Sequence, residues 1–171
     1  MTFMDIVRAR RSIRKFESEE VPGEVIEEIL EAARWAPSAG NRQPWHFYVV
    51  TEPKMREELV GVAGGQSFVA EAPVVIVVCA DAERSAEKYA DRGRHLYCLQ
   101  DTAAAMQNIM LAAEARGLGT CWIGAFDEGA CSEVLDLPSN HRPVAMTPVG
   151  VKAMHPDPRQ RRDPEDTITY L

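Results

Sequence analysis

The sequence predicts an α+β sandwich, in which a mixed central β-sheet is flanked by helices. Three observations carry this expectation. Strand-like and helix-like segments do not alternate strictly, which disfavours a doubly wound sheet. Val74 to Cys79 is an unbroken apolar run, as expected of a central strand covered on both faces. Leu96, Leu99, Ala103, Met106, Met110 and Ala113 recur at helical spacing along the longest helix, about 95–116. The many alanines of that helix let other backbones approach on more than one side, which suits the centre of a fold or a dimer. At 171 residues, 46% of them hydrophobic, the chain suits one domain over its whole length, 1–171.

In chain order, Thr2-Phe3-Met4-Asp5 reads as a capping box, and Phe3, Ile6 and Val7 share one face of the short helix it opens. Pro22, a favoured first-turn residue, starts a second helix that runs to Ala36 and is stopped by Pro37. Its core face is Val25, Ile26, Ile29, Leu30 and Ala33. Pro37 to Pro44 is a loop by composition, and Trp45 to Thr51 is a strand of aromatic and β-branched residues. A short helix starts at Pro53, and Gly61 to Gln66 forms another loop before the central strand. Gly117 is placed to end the long helix. Thr120 to Ile123 and Val144 to Val151 are strands, with a helix over 128–135 between them. The Pro- and Arg-rich tail from His155 closes on a strand-like Thr167-Ile168-Thr169-Tyr170-Leu171.

A net charge of −7 argues against broad nucleic-acid binding. No stretch has the length and apolarity of a membrane span, since the best candidate carries Gln100, Asp101, Gln107, Asn108 and Glu114. The N-terminus shows no charged region followed by an apolar run, so the expected location is cytoplasmic. Cys79, Cys98, Cys121 and Cys131 form no C-x-x-C pair and read as buried free thiols. The histidines lack ligand spacing, so no metal is expected.

Charge is unevenly spread. Arg8, Arg10, Arg11, Arg14 and Lys15 crowd one short segment, and Arg159, Arg161 and Arg162 form a second island. The first run alone reads equally as a solvated basic face or as a phosphate clamp of arginines and a serine hydroxyl. A second like-charged island favours the clamp, because two such clusters gain by sharing an anion. No other motif supplies chemistry. Gly117-Leu118-Gly119 follows a helix and lacks the third glycine of a dinucleotide fingerprint. There is no Walker loop, no nucleophile elbow at Ser38 and no cysteine–histidine pairing. Ligand-like features without an acid, base or nucleophile point to a cofactor that carries the reaction.

Arg10-Arg11-Ser12-Ile13-Arg14-Lys15-Phe16 resembles the N-terminal signature of the nitroreductase family of flavoproteins. Ala36-Pro37-Ser38-Ala39-Gly40-Asn41-Arg42-Gln43-Pro44-Trp45-His46-Phe47 resembles its second signature. Ala72-Pro73-Val74-Val75-Ile76-Val77-Val78 is similar to its central strand, and Gly117-Leu118-Gly119-Thr120-Cys121-Trp122-Ile123-Gly124 to its third motif. The four occur in family order and span nearly the whole chain.

The resemblance implies an FMN-dependent oxidoreductase that uses NADH or NADPH to reduce a small acceptor, such as a nitroaromatic or a quinone, by ping-pong hydride transfer. The flavin N5 would carry the chemistry, with no catalytic side chain. It further implies a homodimer with two FMN sites at the interface. Arg10, Arg11 and Ser12 would hold the phosphate, joined by Arg161 or Arg162, and Arg14 would lie near the flavin N1 and O2. Pro37, Ser38, Ala39 and Asn41 would reach the flavin from the other subunit. Ile123, Gly124 and Ala125 would offer backbone beside N5. Where many members place an Asn and a Lys before the central strand, this chain has Gly64-Gly65-Gln66-Ser67, leaving Gln66 as the corresponding contact. The alternatives are flavin chemistry on a particular metabolite, such as reductive dehalogenation or flavin breakdown, and a non-catalytic flavin-binding protein.

Overall fold

The computed structural model describes residues 2–171. Its sheet has four strands, β1 (Trp45–Val50), β2 (Val74–Ala80), β3 (Leu118–Thr120) and β4 (Arg142–Val151), in the order β1-β2-β4-β3. Every neighbouring pair of these strands is antiparallel. The mixed character expected from the sequence rests on the segment after the first helix. There Ser12 makes a parallel bridge to Thr120, and Phe16 an antiparallel one to Lys152.

Strand β2 is buried at every position and alternates between two cores. Val75, Val77 and Cys79 face one core with Leu59, Val62, Phe68 and Cys131. Val74, Ile76 and Val78 face the other with Ile26, Ile29, Met106 and Ile109. The helices therefore form two layers. Helices α3 (Pro53–Val62), α4 (Phe68–Glu71) and α7 (Glu128–Val134) cover one face, and α2 (Gly23–Arg34) and α6 (Cys98–Ala115) cover the other. The expected core face of α2 is in place, with Ile26, Ile29 and Ala33 buried. Helix α6 ends where Gly117, at φ 76°, takes the left-handed turn that favours glycine.

Helix α1 (Phe3–Ala9) opens on the expected capping box: Thr2 Oγ1 accepts from the Asp5 N–H at 3.2 Å, and the Asp5 carboxylate accepts from the Thr2 N–H at 2.7 Å. It buries no residue, and Phe3 is 67% exposed. Helix α5 (Ala82–Arg92) was not expected, because its apolar side is only Ala82, Ala86 and Tyr89 among mostly charged residues; Asp81 caps it by accepting from the Arg84 N–H at 3.0 Å. A π-turn, Gly93–Tyr97, joins it to α6, so the long helix begins at Cys98. The strand expected at 167–171 is absent: these residues are exposed, no neighbouring strand offers a ladder, and the Ile168 N–H closes back on Pro164. All four cysteines are buried and free.

Candidate active site

The first basic island is built into the sheet by its apolar members. Ile13 is 1% exposed and Phe16 7%. The Ile13 N–H donates to the Thr120 carbonyl at 2.9 Å, the Ala153 N–H to Lys15 at 3.0 Å and the Glu17 N–H to Val151 at 3.0 Å. Ile13 and Phe16 are buried, while Arg14 and Lys15 between them are exposed. The exposed side faces a cleft of about 830 Å³. Arg10, Arg11, Ser12 and Arg14 line it from one side, and Met154, Pro156, Arg159 and Arg161 line it from the tail.

The structure thus brings the two basic islands to one cleft. Of the two tail arginines expected there, Arg161 lines it, while Arg162 donates to the Asp166 carbonyl at 2.8 Å. Arg11 differs from its neighbours. Its guanidinium donates to the carbonyls of Arg8 (2.6 Å), Ala9 (3.2 Å) and Arg10 (2.9 Å), closing the C-terminus of α1. Its buried Nε has no partner. Among the described residues Arg10, Arg14, Arg159 and Arg161 have no carboxylate within ion-pairing distance. Beneath the cleft, burial pushes the Cys121 thiol up, while the charges of Arg14 and Arg10 and a hydrogen bond with Ser12 pull it back.

The loop of Pro37, Ser38, Ala39 and Asn41 contributes no residue to this cleft. It is nevertheless tightly specified. The Asp101 carboxylate, on the first turn of α6, accepts from the Ala39 N–H at 3.1 and 3.2 Å, and Ser38 Oγ accepts from the Gln43 N–H at 2.9 Å. Burial pushes the Asp101 carboxyl above the usual aspartate range, and the Ala39 N–H draws it part-way back. Gly40, Asn41 and Gln43 all have left-handed φ, at 55°, 55° and 50°. Such a run is held only where surrounding contacts enforce it. Asp101 does this for the loop, and in the sequence nothing sets it apart from the other polar residues of the long helix.

In the third motif, the Ile123 N–H and C=O are both paired with Met146, at 2.9 and 3.0 Å. Gly124 and Ala125 are exposed, and their N–H groups donate to no backbone carbonyl. A free N–H at this end of β3 therefore comes from Gly124 or Ala125. The Gln66 amide donates to the Ala63 carbonyl at 2.8 Å, and Gln66 does not line the arginine cleft. Trp122, 40% exposed, lines a separate hollow of about 300 Å³ with Leu99, Thr102 and the Glu128–Arg142 pair. His141 and His46 stack at 4.4 Å, and His141 Nδ1 lies 2.7 Å from the Tyr48 hydroxyl, a structural arrangement outside the arginine cleft.

The Nitroreductase family model matches residues 7–66 and 59–151, which include the basic segment, the strained loop, the central strand and the third motif. The chain belongs to the nitroreductase family. A relative from Methanothermobacter thermautotrophicus, provisionally named an NADH dehydrogenase/NAD(P)H nitroreductase, is 38% identical over 170 residues, covering 96% of this chain and 85% of its own. The solved nitroreductase family protein of Clostridium novyi NT superposes with a TM-score of 0.79 at 35% identity, covering 89% of this chain and 86% of that one. The NADPH:FMN oxidoreductase of Vibrio harveyi, solved with NAD+, superposes with a TM-score of 0.89 at 28% identity, covering 98% of this chain and 76% of that one. The family model ends at Val151, so the tail arginines of the cleft lie beyond the matched residues. Among the described residues no helix is long and apolar enough to cross a membrane.

Proposed function

We propose that the protein is an NAD(P)H-dependent flavin oxidoreductase that binds FMN and reduces small acceptors such as nitroaromatics or quinones, donor and acceptor using one site in turn. The observation that carries this reading is the cleft where Arg10, Arg14 and Arg161 converge without a protein counter-ion. Unpaired guanidinium groups with a serine beside them suit a phosphate monoester, which takes paired N–H donors and a hydroxyl.

FMN supplies, when bound, a ring that accepts a hydride from NADH or NADPH and passes two electrons to the acceptor. The chain's own residues bind and orient it. Arg10, Ser12 and Arg161 would hold the phosphate, with Arg11 acting mainly as the brace of α1. Arg14 would place a cation where reduced flavin gathers negative charge. Gly124 or Ala125 would offer the N–H beside N5.

The reading includes a second copy of the chain. The strained loop Pro37–Asn41 is apart from the cleft within one chain, while α1 and the tail leave Phe3, Ile168, Tyr170 and Leu171 at least half exposed. A dimer would cover these surfaces and bring the partner's loop to the flavin. Sedimentation velocity of the FMN-loaded protein tests this, with a dimer expected. For the reaction, the purified protein should carry a flavin absorbance that bleaches anaerobically with NADH or NADPH and returns on adding a quinone or nitroaromatic. Flavin that stays oxidised with both nucleotides would defeat the reading.

A further inference from the structure

The arginine cleft is charged beyond the needs of one phosphate. Six arginines line it, against a single acid, Asp157. Arginine stays charged at any working pH, whereas a phosphate monoester brings only about −1.5 to −2. Arg10, Arg14 and Arg161, with Ser12, suffice for that group, and Arg11 is committed to the carbonyls of α1. Two cations then remain, Arg8 and Arg159.

Neither has a structural task that accounts for it. Arg8 stands on the last turn of α1, where a cation favours the helix dipole, but the terminal carbonyls accept from Arg11. Arg159 makes no side-chain hydrogen bond or ion pair among the described residues; only its backbone carbonyl is used, by Arg161 at 3.1 Å. Both are exposed and face the same cleft. Clustered like charges without counter-ions repel, and a second anion at their edge removes that cost.

We propose that Arg8 and Arg159 form a second anion subsite, beside the FMN-phosphate position, that takes the 2′-phosphate of NADPH and makes it the preferred donor over NADH. This rests on the flavin reading for the neighbouring phosphate. The 2′-phosphate is the group by which the two nucleotides differ, so a pair of arginines there converts directly into donor preference.

The test titrates the FMN-loaded protein calorimetrically with 2′,5′-ADP and with 5′-AMP, and measures anaerobic flavin reduction by NADPH and NADH. The protein should bind 2′,5′-ADP at least about tenfold more tightly than 5′-AMP. Arg8→Gln with Arg159→Gln should erase that preference and lower the NADPH/NADH ratio of kcat/KM about tenfold, while FMN affinity moves less than about threefold. Both side chains are exposed, so the variant is expected to fold, and its melting curve checks this. Equal affinity for the two adenosine phosphates, a preference that survives the double substitution, or a parallel loss of FMN affinity overturns the subsite. If 2′,5′-ADP is preferred but neither nucleotide bleaches the flavin, the proposed redox function fails and the subsite stands. If both nucleotides bleach it equally and 2′,5′-ADP is not preferred, the subsite fails and the function stands.

Discussion

Gly119 lies directly against Ile13: a methyl group at Gly119 would stand 2.9 Å from both Cγ atoms of Ile13. Ile13 is buried and hydrogen-bonded through its backbone to Thr120, so it has no room to retreat. The bare α-carbon on β3 thus sets how deeply the basic segment docks, and with it the position of Arg10, Ser12 and Arg14. Gly119→Ala should lower stability by about 1–3 kcal/mol through overpacking. It should also weaken FMN binding, since the arginines move with Ile13. Thermal unfolding and fluorescence titration with FMN measure the two effects; wild-type values for both would refute the docking argument.

Lys152 flanks the same contact and joins two layers. Its ammonium group donates to both oxygens of Glu114 at 2.7 Å, with the pair largely buried between α6 and the end of β4. Removing one partner strands a buried charge, so Lys152→Met should cost about 3–5 kcal/mol. Adding Glu114→Leu removes the stranded carboxylate and should restore most of that loss. A double-mutant cycle by urea unfolding checks it, the expected sign being a variant pair more stable than Lys152→Met alone.

The fold was legible where burial imposes a period. The run of β2, the stripe of α2 and the Gly117 stop all reflect local pattern, and so does the capping box at Thr2. Helix α5 escaped because its apolar side, Ala82, Ala86 and Tyr89, is small and set among charged residues; its other signal was the cap at Asp81. The tail misled because Ile168 and Tyr170 alternate like a strand, yet a strand needs a neighbour to pair with. At the site, the two arginine islands were visible as charge, but only tertiary structure puts Arg159 and Arg161 across from Arg10. The separate roles of Arg11, Ile123 and Gln66 depend on which backbone groups are already paired, and sequence does not show that.

Asp101 makes the strained loop dependent on pH. Folding raises its carboxyl above the unfolded value, chiefly through burial. The unfolded chain therefore holds fewer protons than the folded one as pH rises through the carboxylate range, so this group's stabilisation is full below the unfolded value and falls as pH climbs. Asp101→Asn keeps an oxygen for the Ala39 N–H and lacks the titration. Wild-type stability relative to the Asn variant should therefore decline from about pH 4 upward. Denaturation curves across that range measure the difference, and an opposite slope would sink the assignment.

The cysteines should be inert in the native state. Burial pushes the Cys79 thiol up to about 12 and the Cys131 thiol up to about 11, and raises Cys98 and Cys121 as well. Thiolate is the reactive form, and all four sulfurs lie in buried residues. A chromogenic disulfide reagent at about pH 8 should find almost no thiol in the folded protein and all of them after denaturation. Rapid labelling of native protein would show that one of these sites opens.

Arg10 and Arg11 are adjacent in sequence but should fail differently when replaced. Arg11 gathers three carbonyls at the end of α1, so Arg11→Ala leaves those acceptors unserved. A loss of about 1–2 kcal/mol is expected, visible as a lower melting temperature even without FMN. Arg10 makes no side-chain hydrogen bond or ion pair among the described residues, so Arg10→Gln should leave the flavin-free melting temperature nearly unchanged. Its effect should appear in FMN affinity, which loses about tenfold or more when a charge-assisted bond to phosphate is removed. Melting curves with and without FMN separate the two. If Arg10→Gln destabilises the flavin-free chain as much as Arg11→Ala does, the first basic island is a structural brace throughout and the phosphate position lies elsewhere.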